Sequence, residues 1–298
     1  MSNALPLPPR SDPEQYKKLA RDLQDACRSG DPLAIRHWAA RWVERLARAY
    51  GPAHWPAVRD RENEPEDIER RWNKLRATTA QVSQCTLAGA QFFIAREHGF
   101  TNWPKFARHV RDMARANSPA ATFEAAVDAI ISGDAAMLRK MLADCPGIVR
   151  ERSVREHHST LLHYVSANGV EDFRQKTPKN IVEITNLLLD AGAEVDAESD
   201  AYGGGCTALG LAATSVHPER AGVQIALLET LLDRGASLHL RAGGNSHSIV
   251  SWLHRQRTTR GGQVSCGSRC AIGYRKRGGA RSARCASGPF RCRRYRPD

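Results

Sequence analysis

Ile181-Val182-Glu183-Ile184-Thr185-Asn186-Leu187-Leu188-Leu189-Asp190-Ala191-Gly192-Ala193-Glu194-Val195-Asp196-Ala197 is the stretch on which the fold turns. Its apolar residues fall at helical spacing and stop at Gly192, where a helix ends in the left-handed conformation that a side chain penalises. The ending recurs as Gly235-Ala236-Ser237-Leu238, 43 residues on, and Thr160-Leu161-Leu162-His163 recurs as Thr207-Ala208-Leu209-Gly210, 47 residues on. Self-similarity at such a period signals stacked repeats, each too small to bury its own helices and each using its neighbours as a core. Val182, Ile184, Leu187 and Leu188 are therefore expected to face Leu227, Leu228, Leu231 and Leu232.

In these residues the chain resembles the ankyrin family, whose repeat opens on G-x-T-P-L-H, gives two antiparallel helices and closes on L-L-x-x-G-A-D-V-N. Residues 159–167 match a first helix, 181–189 a second, and 192–197 the closing turn. The next repeat runs from Gly205-Cys206-Thr207 through 225–237, with Ala208 where Pro is usual and Gly210 where His is usual. An earlier one keeps Phe123 to Ile131, Gly133-Asp134 and Met137 to Leu142, and a fourth begins at Asn245 and stops by Val250. The resemblance covers 122–250 and implies an all-α chain: an α-solenoid of ankyrin helix-turn-helix repeats, with Thr160, His163, Gly192, Thr207 and Gly235 as its structural signature. It also implies non-catalytic binding of another protein. The Thr160 hydroxyl and His163 imidazole, three residues apart, are placed to hydrogen-bond in the opening turn.

Both clear repeats carry extra residues between their helices, over 170–180 and 215–222. Insertions at equivalent positions project from one side of a repeat stack. Glu171, Asp172, Arg174, Lys176 and Lys179, with His217, Glu219 and Arg220, are the candidate partner-binding residues. The plainer reading is a pair of tolerated surface loops, since long insertions cost little.

Upstream, residues 13–117 read as a helical N-terminal region behind a disordered segment over 1–12. Asp12 with Pro13 starts one helix, whose inward stripe is Tyr16, Leu19, Ala20, Leu23 and Cys27, and Gly30 ends it. A second helix carries Ile35, Trp38, Trp42 and Leu46; a loop is expected over 51–65 and a charged helix over 66–76. Thr86 opens a helix that Gly99 stops, and Trp103-Pro104 opens another; Asn117-Ser118-Pro119 marks the boundary to the repeats. The segment from Leu87 to Pro104 resembles the helical region preceding ankyrin repeats in some bacterial proteins.

The net charge of +12 is confined to the end. Residues 254–298 hold twelve Arg, one Lys and one Asp, whereas 1–253 balance 31 basic against 31 acidic groups. The tail has few large apolar side chains, and burying them cannot offset the entropy of ordering it. Residues 251–298 read as a disordered basic tail, and three origins compete: a plain tail, an arm for nucleic acid or an anionic surface, and a coding frame shifted near Ser251. The third is favoured because the fourth repeat begins in register and then gives way to Arg, Gly, Ser and Cys. It would leave the third repeat without a neighbour, exposing Leu209, Leu211, Leu228 and Leu232 and promoting self-association.

No secretory leader and no apolar run long enough for a membrane precede or interrupt these segments, so a reducing cytoplasmic location is expected. No enzyme constellation, cofactor or metal is expected. Gly203-Gly204-Gly205-Cys206-Thr207-Ala208 matches a dinucleotide fingerprint, but an acidic segment, not an apolar strand, precedes it. His157 and His158 read as a solvated pair beside the turn histidine His163, and Cys266, Cys270, Cys285 and Cys292 lack zinc spacing. Glu124, Asp128 and Asp134 have no partner that would give them acid–base work. Trp38, Trp42, Trp55, Trp72 and Trp103 read as core.

Overall fold

The computed structural model describes residues 4–8, 11–50, 58–115 and 118–238. The tail over 251–298, the fourth-repeat start at 245–250, Asn117 and Trp55 lie outside the described residues. The described chain is all-helical. Its only extended pairings are the isolated bridges Arg152–Thr160 and Ser199–Cys206, and no strand occurs among the described residues. None of its helices there is long and apolar enough to cross a membrane.

The first helical region comprises α1 (Pro13–Arg28), α2 (Ala34–Tyr50), α3 (Val58–Thr78), α4 (Ala80–Ser83), α5 (Leu87–Glu97) and α6 (Trp103–Met113). Local chemistry sets its starts. The Asp12 carboxylate accepts from Glu14 N at 2.9 Å, Thr86 Oγ1 from Gly89 N at 3.0 Å, and Asn102 Oδ1 from Lys105 N at 3.0 Å. Its core gathers Tyr16, Leu23, Trp38, Trp42, Trp72, Phe93 and Phe106, with Trp38 Nε1 donating to Leu19 O at 3.1 Å. The α3 helix begins well before Glu66 and runs through Pro65, shortening the expected loop. Proline removes one helical donor, and fully buried Ile68 and Trp72 anchor the turns beyond it.

The expected disorder over 1–12 is corrected at Leu5 and Leu7, which are 3% and 6% exposed. The end of α5 leaves carbonyls without helical donors. Leu5 N supplies one, reaching Glu97 O at 2.6 Å, and Leu5 O accepts from His98 Nδ1 at 3.0 Å.

Cys27, read as an apolar stripe residue, forms a disulfide with Cys85 across a sequence separation of 58, joining the end of α1 to the turn before α5. Disulfides persist where the surroundings oxidise thiols, so this pair bears directly on the expectation of a reducing cytoplasm. Closing a loop of this length stabilises by about 2–4 kcal/mol, chiefly by restricting the unfolded chain. Urea melts of the oxidised chain and of Cys27→Ser/Cys85→Ser should differ by that amount; coincident curves would show that the bond adds nothing to the fold.

The second helical region comprises α7 (Pro119–Ser132), α8 (Ala135–Asp144), α9 (Leu161–Tyr164), α10 (Ile181–Asp190), α11 (Ala208–Thr214), α12 (Val216–Arg220) and α13 (Gln224–Asp233). Ser118 caps α7 by accepting from Ala121 N at 3.1 Å. Pairs α7/α8, α9/α10 and α11/α13 pack internally; α9 touches both α7 and α11, and α10 touches both α8 and α13. Ile184, Leu188, Leu227, Leu228 and Leu231 are buried in one core with Leu138, Leu161 and Leu209. Leu209, Leu211 and Leu228 are 1%, 2% and 6% exposed, which corrects the expectation that a missing fourth repeat would bare them. They turn inward because α11 and α13 pack onto α9 and α10. Leu232 is half-buried.

Gly192 and Gly235 end α10 and α13 with φ of +93° and +95°, in the region only glycine adopts freely. His163 Nδ1 accepts from Thr160 N at 3.1 Å and lies 2.8 Å from Thr160 Oγ1, while its Nε2 donates to Cys206 O at 3.1 Å. Thr207 Oγ1 accepts from Gly210 N at 3.3 Å.

Candidate functional site

The most unusual chemistry lies where the two helical regions meet. Arg155, on the loop before α9, is 1% exposed, and Arg174, in the short 3-10 turn Asp172–Arg174, is 5% exposed. Each faces two buried carboxylates, Glu124 of α7 and Glu171. Arg155 lies 3.3 Å from Glu124 Oε2 and pairs with Glu171 through Nε; Arg174 pairs with Glu124 and reaches Asp128 Oδ1 at 2.9 Å. Two cations and two anions make a neutral quartet, the composition that burial of charge requires. Arg155 Nη1 also donates to His98 O at 2.8 Å, and its guanidinium lies 5.2 Å from the Phe100 ring centre. The quartet thus reaches from the second region into the first.

Burial alone would raise the Glu124 carboxyl, but Arg155 and Arg174 outweigh it and hold it at about 2. The same opposition puts Glu171 well below the usual carboxylate range, burial yielding to Arg155, Arg174 and His157. His109 of α6 sits 3.6 Å from Glu124 Oε1; burial first, then Arg155, lowers it to about 4. Both carboxylates of the quartet are thus held ionised by the two guanidiniums.

Glu171 and Arg174 are therefore corrected: they are interior residues, not borders of a partner surface. The 170–180 insertion folds inward and adds Glu171 and Arg174 as a second pair of opposite charges beside Glu124 and Arg155. Asp172, Lys176, Lys179 and Arg220 are exposed, and His217 and Glu219 half-buried. Lys179 Nζ donates to Ala221 O at 3.0 Å, so the two insertions adjoin along one edge. Burial, then Arg220, lowers the His217 pKa, and Asp172 opposes both.

The His157–His158 pair is also corrected. His157 is buried, its Nδ1 accepting from Ser159 N at 3.1 Å and its Nε2 3.7 Å from Glu171 Oε1. Half-buried His158 instead places Nδ1 2.6 Å from Asp200 Oδ2. With His163 bound to Thr160 and Cys206, the three imidazoles serve three different partners. Asp134 caps α8 through Met137 N at 2.9 Å, while Glu124 and Asp128 pair with Arg174. Trp38, Trp42 and Trp72 are core residues.

Beside the quartet lies a cleft of about 500 Å³ bounded by α3, α5 and the loops carrying Arg155 and Tyr202. Sequence reasoning gave no signal for this cleft or for Arg155, since both arise from segments distant in sequence. No family model, curated protein or solved structure matches the chain.

Proposed function

We propose that this chain is an ankyrin-type repeat scaffold, a short helical solenoid that binds another protein without catalysing a reaction. One observation carries the reading: contacts between the helical pairs recur about one repeat apart. Asn180 Nδ2 donates to Gly133 O, Ser166 Oγ to Ala208 O, and Arg152 Nη1 to Glu198 O, at separations of 47, 42 and 46 residues. Arg139–Glu183 and Arg234–Asp190 are both 44 apart. A fold in which each unit leans on the next produces this spacing; a single globular core has no reason to.

The first region covers part of the loop face, where Glu156 N donates to Gly99 O at 2.9 Å. The edge formed by Asp172, Lys176, Lys179, His217, Glu219 and Arg220 remains the best partner surface in this reading. Lys176→Glu/Lys179→Glu/Arg220→Glu is expected to weaken the co-purifying partner by on the order of tenfold or more, chiefly through slower association. Equal capture by the variant and the unaltered chain would remove this edge from the interface. Loss of all binding on deleting 254–298 would move the function to the basic tail.

A further inference from the structure

We propose that a second groove, between the N-terminal segment, α1 and α2, binds a monocarboxylic acid with an apolar tail. The carboxylate is held by Arg45 and the tail lies over Tyr16, Leu19, Trp42 and Leu46. The groove has a volume of about 370 Å³, within the range of small-molecule sites, and Pro8, Ser11, Gln15 and Ala49 complete its described lining.

Helical spacing builds it. Trp42, Leu46 and Ala49 stand at i, i+4 and i+7 on one face of α2, and Arg45 stands at i+3, on the edge of that face. Tyr16 and Leu19 of α1 meet that face from across the helix pair. Ser11 Oγ donates to Pro8 O at 2.6 Å, which holds Pro8 beside the start of α1 as an end wall. Tyr16, Leu19, Trp42 and Leu46 belong to the first region's core, so the floor is the outer edge of that core. Half-buried Pro8 and exposed Ala49 extend the apolar surface, and Arg45 and Gln15 stand exposed at the rim.

Charge selects the ligand. Among the described residues lining this groove there is no Asp or Glu, and Arg45 is their single charged side chain. Neighbouring cations already have carboxylates: Arg48 pairs with Glu44, Lys17 with Glu14 at 2.7 Å, and Arg36 with Glu69 at 2.7 Å. Arg45 has no ion pair among the described residues. A guanidinium offers two parallel N–H donors that match the two oxygens of a carboxylate, and the Gln15 amide at the same rim can add a third. An amine would bring a second cation to Arg45 with no carboxylate to neutralise either. A neutral chain would gain the floor but nothing from the rim, and a phosphate carries more charge than one guanidinium balances.

This site does not depend on the scaffold reading, and its test needs no protein partner. Equilibrium dialysis of radiolabelled octanoate against the purified full chain should give a dissociation constant below about 1 mM. Unlabelled octylamine and octanol should displace the label at least about tenfold less well than unlabelled octanoate, the first for its opposite charge and the second for its lack of one. Arg45→Glu, at an exposed position, should weaken octanoate by at least about tenfold. Arg48→Glu makes the same change in net charge one turn away, outside the described lining, and should leave binding within about threefold because solvent and salt screen it. Absence of saturable binding, equal displacement by octanol, or an equal effect of the two substitutions would each overturn the assignment.

Discussion

Lowering the pH from 7 to 5 is expected to remove on the order of 6 kcal/mol of stability, most of what a domain ordinarily possesses. Three buried histidines carry the effect. Burial lowers His98 from 6.5 to about 3 against the opposing bond to Leu5 O, with the nearby Arg155 and His109 adding to the lowering. Burial and Arg155 lower His109 to about 4, and burial lowers His163 to about 4 against its bond to Cys206 O. All three stay neutral in the fold while the unfolded chain takes up protons below 6.5. Their contribution is fully present above that value and is lost as pH falls toward the folded values near 4. Glu124 and Glu171, also depressed, act in the same direction but only in the carboxylate range. Glu64, Glu97 and Asp128 are raised, chiefly by burial, and act oppositely in that lower range. Urea melts near pH 5.5 should show about three protons taken up on unfolding, a slope of about 4 kcal/mol per pH unit. His109→Phe should reduce that slope by roughly a third. A flat profile down to pH 5 would show that these imidazoles are solvated.

Local grammar was readable wherever the cause was local. Asp12 with Pro13, Thr86, Gly99 and Trp103-Pro104 mark helix ends within a few residues, and the helices begin and stop there. The His163–Thr160 turn and the left-handed glycines at 192 and 235 belong to the same class. The failures share the opposite property. Glu171 and Arg174 look like surface charges because no periodicity in 170–180 indicates burial; Arg174 finds its partner 50 residues away at Glu124, and Glu171 finds one 16 residues away at Arg155. Leu5 and Leu7, set among prolines, read as disorder because their docking surface is the backbone at Glu97 and His98. Cys27 and Cys85 carry no mutual spacing signal across 58 residues. The candidate cleft, assembled from α3, α5 and two loops, belongs wholly to this second class.

Arg155→Met is expected to cost about 3–5 kcal/mol, because it strands two buried carboxylates that Arg174 alone must then neutralise. The cost follows from removing one partner while the others stay desolvated; the quartet as a whole can be nearly neutral in stability, since pairing in the interior offsets the loss of water. Arg155→Met/Glu171→Gln, which removes one charge of each sign, should therefore recover a good part of the loss. Should Arg155→Met cost less than about 1 kcal/mol, water reaches these groups and the centre is not desolvated. The position of Arg155 adds a second consequence. The first region has its own apolar core around Trp38 and Trp72, the second has another around Leu161 and Leu188, and the quartet with the His98 carbonyl is a principal polar link between them. With that link removed, the two cores are expected to unfold at different denaturant concentrations. Tryptophan fluorescence, to which Trp38, Trp42, Trp72 and Trp103 of the first region contribute, should then separate from helical circular dichroism when read in a Trp252→Phe background. Coincident transitions in Arg155→Met would mean that α6 packing on α7 couples the two cores without the charges.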